Sequence, residues 1–502
     1  MNIKNRLFYG SCFALITTAL SFSIRAGILP QLGQELNLTA EELGYINSMW
    51  FLGFPISMVI GGLMYHKVGG SKIMQFAVFS HGLGILLTIY SGSYLGLLIS
   101  TLLIGLGNGC TEAACNPMIA DVYEGSLMSK MMNRFHMWFP GGIVIGSLLS
   151  QFMTGMELSW EMQIWAIMIP TLIYAYLFFG QSWPKAKVKE AATISGNFSA
   201  MLSPLFIFMM VCMALTAITE FGPQQWVGLI LAKSGAQPMI ILALVTGLMA
   251  VARFFGGEIV HRFDQTGVLL GSAVLATIGV YLFSTQTGAM SYVAAVFFAL
   301  GVAYFWPNMI GFIADKIPKS GALGMSIIGA VGMFSTSIFQ PIIGRWIDQD
   351  RSAIAAMGLT GDELDLVAGQ ATLGKMTILP SILIALFIIL LFWVKKMKES
   401  GVSTKSDQDM FSQPFSYEGG IGRKEYAYCF IAFFFIVICL NATSLLGVPT
   451  EIIYFICIPI QGFIFAQGAK RCHDLDKSAW FQIIPFYFII MIFSKGKREL
   501  NE

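Results

Sequence analysis

The chain has 502 residues, 56% of them hydrophobic and only 12% charged, with a mean hydropathy of +0.71 and a formal net charge of +2. A soluble globular chain carries about twice that charged fraction. The composition therefore excludes a soluble enzyme, and no nucleic-acid partner is expected. Twelve apolar runs, each near the ~20 residues needed to cross a bilayer, occupy Leu7–Leu29, Leu43–Tyr65, Met74–Ile89, Leu95–Ile119, Phe139–Met156, Ile164–Phe179, Leu205–Leu231, Met239–Gly257, Val268–Phe283, Met290–Ala314, Met325–Ile347 and Met376–Val394. Backbone in lipid must satisfy its own hydrogen bonds, and these runs do not alternate polar with apolar. They predict helices, not barrel strands.

The first run lacks a small-residue cleavage site and contains Arg25, so it predicts an uncleaved first helix. If the helices alternate in direction, Lys4, Arg6, Lys67, Lys72, Lys130, Arg134, Lys185, Lys187, Lys189, Arg262, Lys316, Lys319, Lys395, Lys396 and Lys398 share one side. The opposite side holds the acidic loops "QELNLTAEE" and "GMELSWEM". The positive-inside rule then places the N-terminus and the end of the twelfth helix in the cytoplasm, with the chain in the cytoplasmic (inner) membrane. The eight cysteines form no CxxC pair and fall mostly in apolar runs. They read as small buried hydrophobes, and no metal site or cofactor is expected.

The sequence repeats itself. "GGLMYHKVGG" follows the second run and "GGEIVHRFDQTG" the eighth, so His66-Lys67 and His261-Arg262 stand 195 residues apart. The fourth and tenth runs each carry Leu-Gly followed by Asp fourteen residues beyond the Gly, at Gly107 and Asp121 and again at Gly301 and Asp315, 194 apart. Two agreeing offsets predict two six-helix bundles, residues 1–180 and 204–398, joined by a basic cytoplasmic linker over 181–203. Six plus six helices, with a Gly-rich basic loop after the second and eighth, resemble the major facilitator superfamily. That resemblance implies an all-α integral membrane transporter with twelve helices. The superfamily usually has an acid where His66 and His261 stand, so those two residues with Lys67 and Arg262 would form gating loops of a different chemistry. A histidine there is either a pH-sensitive latch or a polar residue at the membrane surface.

The last segment stands apart. A polar linker over 399–420 leads into "GGIGRKEYAY", two apolar runs (Tyr426–Leu446 and Ile452–Ala466), "KRCHDLDKSAW", and a short run Phe481–Phe493 before "KGKREL". Gly422, Arg423, Tyr426, Arg471, His473, Asp474, Ser478 and Trp480 match a pattern that resembles the family catalogued as domain of unknown function 805. Residues 421–502 are thus expected to be a small helical membrane module of two or three hydrophobic segments, with no activity implied. Cys472-His473-Asp474 lacks a second ligand cluster, and its residues read as a helix cap or as partners of Arg471. The final run is too short to span and is expected to be re-entrant or interfacial.

Ionisable groups in a membrane helix cost ~2.5 kcal/mol or more, and are kept where a cavity or partner receives them. "ITEFGPQQW" puts Glu220 and Gln224 four apart in the seventh run, and the position 195 before Glu220 is Arg25. The fourth run spaces Asn108, Glu112 and Asn116 by four, a single polar stripe, and the tenth places Tyr304 and Asn308 four apart around Trp306. In the superfamily the first, fourth, seventh and tenth helices line the central cavity, so the resemblance brings these residues to one site. Arg25 is expected to pair there with Glu112 or Glu220. Alternatively, the amides and charges only stitch helices together. "GCTEAACNP" with "MMNRFHMWFPGG" resembles the fucose:proton symporter branch more closely. The branch's coupling glutamate falls on Glu112, its asparagine on Asn116, its Leu-Asn pair on Met132-Asn133 and its glutamine on His136. The branch's acid ahead of "ILPQ" is replaced by Ala26, which argues against fucose itself.

The expected function is import of a small polar solute, a monosaccharide or sugar derivative, by alternating access with proton symport. The protein would act as a monomer in the lipid bilayer and not as an enzyme. A transporter-like sensor and an exporter of another small molecule are the alternatives.

Overall fold

The computed structural model describes residues 2–184, 200–254, 256–399, 417, 421–423, 426–427, 429–430, 433, 450–484, 487–494 and 496. The chain folds into two compact units. The first comprises Met1–Glu190, Val211–Phe312 and Ser326–Val394; the second comprises Ala191–Met210, Ile313–Met325 and Lys395–Glu502.

The helices of the first six runs are α1 (Ile3–Glu35), α2 (Ala40–Val68), α3 (Gly70–Tyr90), α4 (Tyr94–Val122), α5 (Gly125–His136), α6 (Trp138–Gly155) and α7 (Trp160–Phe178). The next six runs fall on α8 (Pro204–Ile230), α9 (Pro238–Phe254), α10 (Gly256–Thr285), α11 (Ala289–Val302), α12 (Phe305–Lys316), α13 (Gly321–Ala356), α14 (Gly361–Met376) and α15 (Ile378–Glu399). These twelve runs thus lie mainly on helix, and among the described residues ten helical stretches are long and apolar enough to cross a membrane, while most of the expected run Tyr426–Leu446 lies outside the described residues. The amphipathic α5 precedes the fifth span, and the tenth is broken between α11 and α12. Below, the end of the bundle where α1 begins is called the N-terminal face and the end carrying the α1–α2 turn the opposite face.

The twofold repeat seen in sequence is also a repeat of packing. Gly107 of α4 lies against the His81 ring of α3, and Gly301 of α11 lies against Ala276 of α10, with both members of the second pair 194 or 195 residues beyond the first. Gly84 against Ile104 and Gly279 against Phe298 repeat the relation. Small residues let membrane helices approach closely where no water drives them together. The "Gly-rich loops" are mostly helix: α2 continues through His66 and Lys67 to Val68, and the turn falls on Gly69 at φ 82. In the second half the turn falls on Asp264 at φ 58, again 195 positions on. With ψ at 161, Asp264 lies outside the left-handed helical region that aspartate tolerates, in backbone territory that glycine takes far more readily.

At the opposite face the two halves touch. The capping box of α2 pairs Thr39 with Glu42. The amides of Ala40 and Glu41, at the helix start, donate to the carboxylate of Asp348 on α13 at 3.0 and 2.9 Å. Arg345 pairs with Glu41 at 2.5 Å, and the hydroxyls of Ser48 and Ser337 meet at 2.9 Å. Gly344 abuts the Ala40 carbonyl and Gly228 the Ala26 carbonyl, with no room for a Cβ. These contacts hold the two halves together at this face.

The second unit contains α16 (Thr450–Asp474), a 3₁₀ turn Ala479–Ile483 and α17 (Tyr487–Phe493). Arg471 is fully buried. It donates to the carbonyls of Met491 (2.8 Å), Ile421 (3.2 Å) and Ser494 (2.5 Å) and pairs with Asp474. One guanidinium thus ties three segments around the small core of Ile421, Tyr426, Cys472 and Met491. His473 is exposed. The seven residues of α17 rise about 10 Å, a third of a bilayer's apolar thickness.

Candidate functional site

Arg25 sits ten residues before the end of α1, about 15 Å in from the opposite face. It is buried, and its Nη2 donates to Oε1 of Gln225 on α8 at 2.6 Å. The guanidinium carbon stands 5.2 Å from the Trp50 ring and 6.0 Å from the Phe51 ring, while Nε has no partner. Phe22 packs edge-on against Trp50, Phe51 and Phe221 at 5.6 to 6.2 Å, and Phe221 lies tilted on Phe51 at 5.7 Å. The expected pairing of Arg25 with a carboxylate is therefore corrected: its hydrogen-bond acceptor is a neutral amide.

Helix geometry supplies the reason. Glu220 and Gln225 differ by five residues, about 140° around α8, so one faces α1 and the other faces away. Glu220 turns to α9, where Oε1 lies 3.6 Å from Nη2 of Arg253, and its Oε2 is buried without a partner. Gln224, only about 40° from Glu220 on the helical wheel, follows it to α9 and rests its Nε2 on the Met249 sulfur at 3.8 Å. Glu112 lies in another layer altogether, ten residues from the end of α4 and thus about 15 Å from the N-terminal face.

The fourth-helix stripe also divides. Asn116 Nδ2 donates to Glu112 Oε2 at 2.6 Å, and both residues are half-buried. Asn108 is fully buried and belongs to a different network. Its Oδ1 is 2.9 Å from His81 Nε2 and its Nδ2 donates to Ser21 Oγ at 3.4 Å. His81 Nδ1 meets the Tyr174 hydroxyl at 2.8 Å, and Trp50 Nε1 donates to Ser21 Oγ at 2.9 Å. Assigning the proton to His81 Nε2 satisfies the chain from Tyr174 to Trp50. The ring that stacks on Arg25 is thereby fixed by hydrogen bonds reaching α7.

On the tenth span Tyr304 donates to the Ala252 carbonyl at 2.6 Å, Trp306 packs edge-on against Phe221 at 6.1 Å, and Asn308 is buried with Nδ2 unpartnered. Asn133 and His136 are exposed on α5, the His136 ring 4.9 Å from Phe135. Lys67 and Arg262 are exposed at the N-terminal face, Arg262 resting 5.7 Å from the Phe263 ring. The side chains of His66 and His261 lie outside the described residues. Gln225, His81, Trp50 and Arg253 are absent from the sequence expectation. Gln225 and Arg253 were within reach of it, one inside the quoted "PQQW" and the other a charge within an apolar run. Gly105 and Gly109 seat α4 against the Trp50 and Phe54 carbonyls of α2.

Residues 11–340 match the family model described as Major Facilitator Superfamily, and residues 414–502 match "Protein of unknown function (DUF805)". The chain is 26% identical over 179 residues to the hexuronate transporter of Bacillus subtilis (strain 168), a match covering 34% of this chain and 40% of that protein. It is 22% identical to the 3-(3-hydroxy-phenyl)propionate transporter of Escherichia coli (strain K12), covering 73% of this chain and 92% of that one. Identity to the sialic acid transporter NanX of the same strain is 22%, over 68% and 87%. Among solved structures, the nucleoside transporter NupG superposes with a TM-score of 0.61 at 13% identity, over 77% of this chain and 99% of that one.

Proposed function

As a member of the Major Facilitator Superfamily the chain is a membrane transporter, and we propose that it imports a small sugar-type acid by proton symport. The observation that carries the acidic part is Arg25. A buried guanidinium is costly unless an anion compensates it. Arg25 instead has one neutral acceptor, two aromatic faces and a free Nε. A carboxylate on the solute supplies the missing charge in a bidentate geometry suited to the fork. Transporters of hexuronate, sialic acid and a phenylpropionate among the relatives support the same reading.

Import by alternating access fits a bundle held together at one face, with Glu112, Asn116, Asn133 and His136 accessible in the other half. The positive-inside pattern makes that accessible half cytoplasmic. Glu112 and Glu220 are the two membrane carboxylates available to carry a proton, and the two halves rock about the layer between them. Purified protein in liposomes with an internal pH dye tests the proposal against hexuronates, other sugar acids, neutral hexoses, pentoses and nucleosides. Internal acidification beyond a protein-free control on adding a sugar acid is the expected result. Acidification with neutral sugars and not with acids would overturn the assignment to Arg25.

A further inference from the structure

The tenth span breaks where it does because of Pro307. In a continuous helix the Ala303 carbonyl would accept from the amide four residues on, and Pro307 has none to give. The α11 helix accordingly ends at Val302 and α12 begins at Phe305. A buried orphan carbonyl needs a partner. Arg253 provides it: its Nε donates to Ala303 O at 2.8 Å. The neighbouring residues return the bond, the Tyr304 hydroxyl donating to Ala252 O at 2.6 Å. Two reciprocal bonds thus staple α9 to the break.

The other end of the same guanidinium faces Glu220, with Nη2 at 3.6 Å from Oε1. One side chain therefore touches both a membrane carboxylate on α8 and the proline-weakened joint. Among the described residues Arg253 is the charged group facing Glu220. The other titratable group at the junction is Tyr304, whose hydroxyl is committed to Ala252.

We propose that Arg253 is the positioning residue that couples the charge of Glu220 to the hinge between α11 and α12. Ionised, Glu220 holds the guanidinium across the break. When a proton neutralises Glu220, Arg253 loses its counter-charge. Its side chain is 30% exposed and so has room to turn away from the break. The Ala303 carbonyl is released and the hinge moves. This inference rests on the proton-symport reading, but its test needs no solute.

Hydrogen exchange of the 303–312 segment, divided by the rate of an unstructured peptide at each pH, reads the hinge directly. In the wild type this protection falls about tenfold as pH drops through the titration of Glu220, the equivalent of one hydrogen bond to a charged group. Glu220→Gln and Arg253→Gln show low protection at every pH, and the double variant is no lower than either. Arg253→Lys, which keeps the charge, loses the pH dependence because one ammonium cannot serve both partners. Flat protection in the wild type, or additive losses in the double variant, would overturn the inference. Flat protection alongside proton-driven uptake sinks this coupling alone. Absent uptake with the expected protection profile sinks only the choice of solute.

Discussion

Replacing Arg25 by methionine separates the role of a solute receptor from that of a structural charge. The guanidinium has one hydrogen bond, to Gln225, and packs on Trp50 and Phe51. Methionine fills much of the same volume and leaves Gln225 Oε1 without its donor. It also removes a buried cation, a change that is often neutral or favourable to folding. Loss of a hydrogen bond to a charged group costs about 1.5–3 kcal/mol. At 1.4 kcal/mol per decade, that weakens a carboxylate solute about 10- to 150-fold. A neutral analogue of the same sugar loses no charge contact and changes less than about threefold. Initial rates of labelled hexuronate and neutral hexose uptake into proteoliposomes give both KM values, and a thermal melt reports whether the variant is intact. Equal losses for acid and neutral solutes would refute the reasoning, as would an acid KM unchanged within error.

Glu112→Gln is expected to abolish accumulation driven by a pH gradient while sparing exchange of solute across the membrane; retained accumulation would remove Glu112 from the coupling path. His81→Phe leaves the Tyr174 hydroxyl and Asn108 Oδ1 unpaired in the core, and costs about 1–3 kcal/mol for each orphaned group. Thermal melts of His81→Phe, Asn108→Leu and the double variant check this, with the double costing less than the sum. Asp348→Asn with Arg345→Gln removes the charges that hold α13 on the start of α2. Labelling of a cysteine placed at Ser48 from the opposite face then speeds up several-fold, and unchanged labelling would show that this face is held by the glycine contacts alone.

Much of the fold was legible in the sequence because lipid leaves few options. The twelve runs, the 195-residue repeat and the separate C-terminal segment follow from length and spacing. The turns did not, since His66-Lys67 and His261-Arg262 continue their helices and only Gly69 and Asp264 reverse the chain. The polar positions were also legible, as residues; their partners were not. A spacing of four places Asn108, Glu112 and Asn116 on one face, but a membrane helix has neighbours around most of its circumference. Asn108 found the His81 ring, which no local pattern announces. Arg25 and Glu220 occupy matched positions of the repeat, yet the helical wheel turns Gln225, not Glu220, toward α1. Arg253 became a site residue only through Pro307, fifty-four positions away in sequence.

The central claim is proton-driven uptake of an acidic solute. It is tested most directly by following labelled hexuronate into proteoliposomes whose exterior is made more acidic than the interior. The account predicts accumulation above the external concentration, collapse on adding a protonophore, and loss of accumulation with Arg25→Met. Equilibration without accumulation under the same gradient, with the label no faster than in protein-free vesicles, would contradict it.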